Sequence, residues 1–156
     1  MPEPLIGYRF WRLGCLFGKR KYLKSLVKDD IWKPNKPMIA NFNWCADSSG
    51  IYSFKSYQDI DEYTLKPGNF PRKNKEWYDA RNKQSLVIGE IKCWGRIFEH
   101  ERGYRAEFAY PSKIIVPEEL HNSNSLAQTL RREYGCETHV MKTSDIILSI
   151  YHIAEL

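Results

Sequence analysis

The chain lacks most of the features that announce a chemistry. It has no glycine-rich phosphate loop of the GxGxxG or Walker type, so the best-marked nucleotide-binding folds are excluded. Its four cysteines, Cys15, Cys45, Cys93 and Cys136, are too widely spaced for a zinc knuckle or a redox CxxC pair. His100-Glu101 opens like a zincin motif, but Tyr104 stands where the second histidine is required. No apolar run approaches membrane-spanning length, and the opening MPEPLIGYRF does not read as a signal peptide. Internal repeats and low-complexity tracts are also missing. These absences set the expectation of a cytoplasmic protein with free thiols, no membrane association, no metal and no cofactor.

What is present is the composition of a globular domain. At 156 residues the chain is expected to form a single domain over 1–156, long enough to bury a core without staples. Aromatic residues reach 14%, a high share that suggests sheet faces or a stacking surface. The net charge of +5 favours phosphate-bearing partners. That charge is uneven: Lys19, Arg20, Lys21, Lys24 and Lys28 cluster early, and Lys66, Arg72, Lys73, Lys75, Arg81 and Lys83 cluster in the middle. Solvated surface is the competing reading of both clusters.

The pattern along the chain is mostly strand. Leu5 to Leu16 reads as a strand that turns near Gly14 or Gly18 and continues through Tyr22 to Val27. Arg9, Trp11 and Arg12 within it read as an outer strand face. Trp32 to Pro37 reads as a rigid extended connector, because each proline disfavours helix in its predecessor. Strands are expected at Met38 to Trp44 and Ile51 to Phe54, with a turn at Ser48-Ser49-Gly50 between them. Ser56 caps an expected helix over Tyr57 to Leu65. Lys66 to Gln84 reads as a basic loop, with a helical turn at Glu76 to Arg81. After the central segment, Pro111 is expected to end or bend a strand, and Lys113 to Val116 to form another. A helix is expected over Ser125 to Tyr134, capped by Ser123 or Asn124 and ended by Gly135. A short strand at Cys136 to Met141 and a last helix over Asp145 to Ala154 complete the order. The class expected is α+β, with a mainly antiparallel sheet and two or three helices.

The run Val87 to Pro111 concentrates the unusual residues. It reads as a hairpin with a three-residue loop, Glu101-Arg102-Gly103, in which Gly103 takes the left-handed position. Glu99 then faces Arg105, and Ile97 faces Glu107. Glu99, Arg105 and Glu107 become an acid–base–acid cluster at the rim of an apolar face. The other face carries Trp94, Arg96, Phe98, His100, Tyr104, Phe108 and Tyr110. On this geometry Glu99, His100 and Glu107 are the catalytic candidates, and Arg105 is a clamp for a carboxylate or phosphate. Trp94 is a ring on which a flat ligand stacks. The competing reading makes the same residues an ion-pair ladder and a second core.

The block GEIKCWGRIFEHERGYRAEFAYP, with YRFWRL, WKP, SGIYSF and LRREYGC in order around it, resembles an uncharacterised family of small bacterial proteins. That family shares a WG–x–hydrophobic–x–EHE–x–G–[YW]–RA–x–x–AYP core. The resemblance implies a bacterial or mobile-element origin and no settled activity. It also implies, in some members, cysteines and a histidine ahead of the glycine matching Gly50. Here only Cys45 stands there, among Asn41, Asn43, Asp47 and Ser48, so no metal set is carried over. By architecture alone, a basic antiparallel domain of this size is also compatible with a PUA-like barrel, a fold often used to read nucleic acid.

The functional expectation is a ligand-reading domain for nucleic acid or a nucleotide-like anionic small molecule. Trp94, Arg96, Tyr104 and Arg105 would hold the ligand at the hairpin end, and Lys73, Lys75 and Arg81 would attract its phosphates. The alternatives are a small hydrolase or transferase using Glu99 or Glu107 with His100 and Arg105, and a protein-interaction domain of the inhibitor, immunity or adaptor kind.

Overall fold

The computed structural model describes residues 3–16, 20–25, 31–40, 50–56, 59, 78–79 and 84–146. Two long strands form its spine. β7 (Gln84–Glu99) and β8 (Gly103–Pro117) run antiparallel, as their alternation and β-branched and aromatic content require. β1 (Leu5–Leu16) flanks β7 from Leu5 opposite Cys93 to Arg12 opposite Leu86. Beyond β1 lie β2 (Arg20–Lys24) and the short β3 (Ile31–Trp32). β6 (Tyr78–Asp79) pairs with the start of β7.

The far edge of β8 is shared in sections. β5 (Ile51–Phe54) takes Gly103 to Ala106, β4 (Met38–Ile39) takes Phe108 and Ala109, and β9 (Glu137–Met141) takes Lys113 to Pro117. β5 also meets β1 where Tyr8 faces Phe54, so β1, β7, β8 and β5 pair in a closed circuit. The sheet is therefore mixed but mostly antiparallel, its parallel pair being β8–β9. Parallel neighbours need a crossover. The helix α1 (Ser123–Tyr134) supplies it.

Two apolar clusters hold these elements. Trp11, Leu23, Trp32, Val87, Ile91, Cys93, Ala106, Ala109 and Ile114 form one, closed by Ala127, Leu130 and Tyr134 of α1 at helical spacing. Phe10, Phe54, Leu86, Ile88, Ile115 and Ile146 form the other. Tyr134 ties α1 to the sheet: its hydroxyl donates to the Trp32 carbonyl at 2.5 Å and accepts the Leu23 amide at 2.7 Å. Burial pushes its phenol well above the usual tyrosine range. Gly135, at φ 65°, ends the helix by donating its N–H to the Arg131 carbonyl.

Several expectations need correction. Trp11 and Arg12 do not form an outer face. Trp11 is 0% exposed, packed in the core with Trp32 edge-on against it at 5.7 Å. Arg12 is buried with its Nε donating to the Ser25 carbonyl, and Arg9 lies over the Trp32 ring at 4.6 Å. Trp32 to Pro37 is not an extended connector: the chain turns at 34–36, with Asn35 at φ 61°. Its turn is pinned by Tyr110, whose hydroxyl accepts the Asn35 amide at 2.8 Å.

Pro111 does not end its strand. It sits opposite Ile91 beside an irregularity in the ladder, a place that tolerates its missing N–H, and Lys113 to Val116 continues the same strand past that irregularity. α1 begins at Ser123, two residues before the expected start, with Asn122 in the left-handed region rather than a side-chain cap. Tyr78 and Asp79 are strand, not helix. Residues 143–146 are helical, as the last helix requires, and Ile146 is buried. The expected helix over 57–65, most of the basic loop, the strand residues 41–44 and the remainder of the last helix lie outside the described residues.

Candidate functional site

The hairpin end does not gather the expected cluster. The β7–β8 loop is the two residues Glu101 and Arg102, closed by the His100 amide on the Gly103 carbonyl at 2.8 Å. The register is accordingly one residue off the expected one: Glu99 faces Tyr104, Phe98 faces Arg105, and Ile97 faces Ala106. Gly103 is not left-handed. It is small because a Cβ there would lie 2.3 Å from the Ser53 carbonyl oxygen on β5.

Each member of the expected trio has its own neighbour instead. Glu99 pairs with Lys55 at 3.1 Å on the surface, and that ammonium also lies 5.6 Å from the Tyr104 ring. Arg105 lies over the Tyr52 ring at 4.9 Å. Glu107 pairs with Arg96. His100 packs against Phe98 at 4.9 Å, and its Nε2 is buried without a hydrogen-bond partner among the described residues. These contacts hold Glu99, Arg105 and Glu107 apart as three separate arrangements.

What the spacing did bring about is a β-bulge. Gly95 and Arg96 together oppose Glu107, with Gly95 at φ 80°. The Arg96 backbone N–H donates to Glu107 Oε1 at 3.1 Å, its Nε to the same oxygen at 3.3 Å, and its Nη2 to Oε2 at 3.2 Å. These hydrogen bonds hold the Glu107 carboxyl below its ordinary range. A Cβ on Gly95 would lie 2.5 Å from Phe108 Cδ2, so the ring edge occupies the space a side chain would need. Trp94 stacks on Phe108, with centroids 5.9 Å apart and planes 21° from parallel.

Trp94 forms one end of a groove of about 590 Å³. Glu90, Lys92 and Trp94 of β7, Tyr110 and Lys113 of β8, and Cys136 and Glu137 complete the lining that matters here. The rows across the sheet explain its character, since residues in register project to the same side. Trp94 and Phe108 form one row; Ile6, Lys92 and Tyr110 form the next; Tyr8, Glu90, Lys113 and Glu137 form the third. The fourth, Phe10, Ile88 and Ile115, is core. The groove therefore runs from aromatic, through one cation, to an alternating charged row.

Three of the groups at the groove are anchored. Burial raises the Tyr8 phenol, and the neighbouring Glu90 carboxylate, which accepts its hydrogen bond, raises it further. Tyr110 donates its hydroxyl to the Tyr134 carbonyl at 2.8 Å, which fixes the ring at the groove wall. Glu137 is held low by its contact with His139 Nε2 at 2.6 Å. Burial raises the Cys136 thiol.

Of the expected ligand-binding residues that are described, only Trp94 lines this groove. Arg96 braces its base through Glu107. Tyr104 and Arg105 belong to the hairpin end, and Lys73, Lys75 and Arg81 lie outside the described residues. Lys92 and Lys113 were not named as ligand residues, and Tyr110 was placed on the Trp94 face without a ligand role. The period-2 alternation Glu90, Lys92, Trp94 was the available signal for the first of them. Cys136 and Glu137 reach the groove through the α1 crossover, which no local pattern reveals.

No family model matches the chain, and neither curated proteins nor solved structures yield a match.

Proposed function

We propose that the protein is a ligand-reading domain that binds nucleic acid or a nucleotide-like anionic small molecule in the Trp94 groove. The observation that carries this reading is the Trp94–Phe108 stack standing beside an exposed ammonium, Lys92, in one open concavity. A nucleobase has a π-face for Trp94, and base–aromatic stacking is worth about 1–3 kcal/mol per base. Lys92 offers a point charge to a phosphate. The charges of Lys73, Lys75 and Arg81 add long-range attraction.

We also propose that the sheet closes as a barrel. The closed circuit of β1, β7, β8 and β5 supports a PUA-like barrel, an analogy that lends the function no weight by itself. A hydrolase or transferase reading draws no support from Glu99 and Glu107, whose carboxylates serve separate ion pairs.

Calorimetric titration with nucleotides and short single-stranded oligonucleotides tests the proposal. Binding is expected to weaken as salt rises, and Trp94→Ala is expected to abolish it while leaving the far-ultraviolet circular dichroism spectrum unchanged. Binding that persists in Trp94→Ala would place the ligand elsewhere.

A further inference from the structure

The charges in the groove are ordered, and the order restricts the ligand. Trp94 and Lys92 stand two residues apart on one face of β7, a separation of about 6.6 Å along a strand. Lys92 is the single charge in its cross-strand row, between Ile6 and Tyr110. A further two residues along stands the row Glu90, Lys113, Glu137, in which the two carboxylates flank the one ammonium. That row sums to one negative charge at a pH where His139, the neighbour of Glu137, is neutral.

A ligand stacked on Trp94 therefore meets a cation at one phosphate's distance and net negative charge beyond it. Taking the proposed nucleotide reading as its premise, we infer that the groove selects nucleoside monophosphates and disfavours ligands that extend further phosphates past Lys92. The base lies on Trp94, and the single phosphate lies at Lys92. A second or third phosphate, or the continuing backbone of a polynucleotide, runs into Glu90 and Glu137. The attractive pair gives affinity, and the repulsive row gives discrimination. Tyr8 does not offset that row, because its phenol is neutral and already donates to Glu90.

The test uses the full chain at pH 8 without divalent cations. The four ribonucleoside monophosphates, the matching triphosphates and a short mixed oligoribonucleotide are titrated by calorimetry. At least one monophosphate is expected to bind, with its triphosphate about fivefold weaker, the size of a few exposed charge interactions. The double substitution Glu90→Gln, Glu137→Gln is expected to erase that gap, and Lys92→Gln to weaken the monophosphate. Triphosphate or oligonucleotide binding equal to or tighter than monophosphate in the unaltered protein overturns the inference and leaves the nucleotide reading standing. So does a gap that survives the double substitution. Absence of binding by all three ligand classes overturns the nucleotide reading itself.

Discussion

Glu107 accepts three hydrogen bonds from Arg96 across the β7–β8 ladder, one from the backbone and two from the guanidinium. The residue named as a candidate base braces the ladder. It closes the bulge that Gly95 opens, and the bulge sets Trp94 against Phe108.

Glu107→Gln is therefore expected to reduce stability at neutral pH. The folded carboxyl titrates below its ordinary range, so its contribution is present above the unfolded pKa and is lost as pH falls through the folded one. Urea unfolding of both proteins at neutral pH and in strong acid checks this. The difference should be present at neutrality and vanish in acid; a constant difference would contradict the brace.

Gly95→Ala should be costly twice over. An alanine at φ 80° is strained by about 1–3 kcal/mol, and its Cβ would displace the Phe108 ring from 2.5 Å away. Thermal unfolding measures the first effect. The near-ultraviolet circular dichroism of the Trp94–Phe108 pair reports the second.

Tyr134→Phe leaves the Trp32 carbonyl and the Leu23 amide without their shared hydroxyl in a buried setting. The expected cost is about 1–3 kcal/mol, read from chemical denaturation. No change would mean that α1 is held by its apolar face alone.

Glu99→Gln should do almost nothing to the fold, within about 0.5 kcal/mol, because its pair with Lys55 is on the surface. Ligand binding should likewise be unchanged. Loss of a function on this substitution would restore the hairpin end as the site.

The strands were largely legible because a half-buried sheet writes its period into the sequence. Val87, Gly89, Ile91 and Cys93 alternate, and all four are buried. The candidate site was not legible, for three physical reasons. Gly103 carries the mark of a left-handed turn, yet it is required by the close approach of Ser53; the loop is one residue shorter, and one residue of slip changes every cross-strand neighbour. Gly95 looks like any small residue on the apolar face, but it opens a bulge that redirects the acid expected of the cluster to Arg96. The C-terminal wall of the groove depends on α1 returning β9 beside β8, a non-local pairing that the local pattern leaves unspecified.

The most direct measurement is a ¹H–¹⁵N spectrum of the chain, with its five tryptophan indoles assigned, during addition of nucleoside monophosphates. The account predicts that the Trp94 indole and the Lys92 and Tyr110 amides shift together, while the buried Trp11 indole stays still. Shifts confined to Glu99, His100 and Arg105, or a spectrum unmoved by every nucleotide, would contradict it.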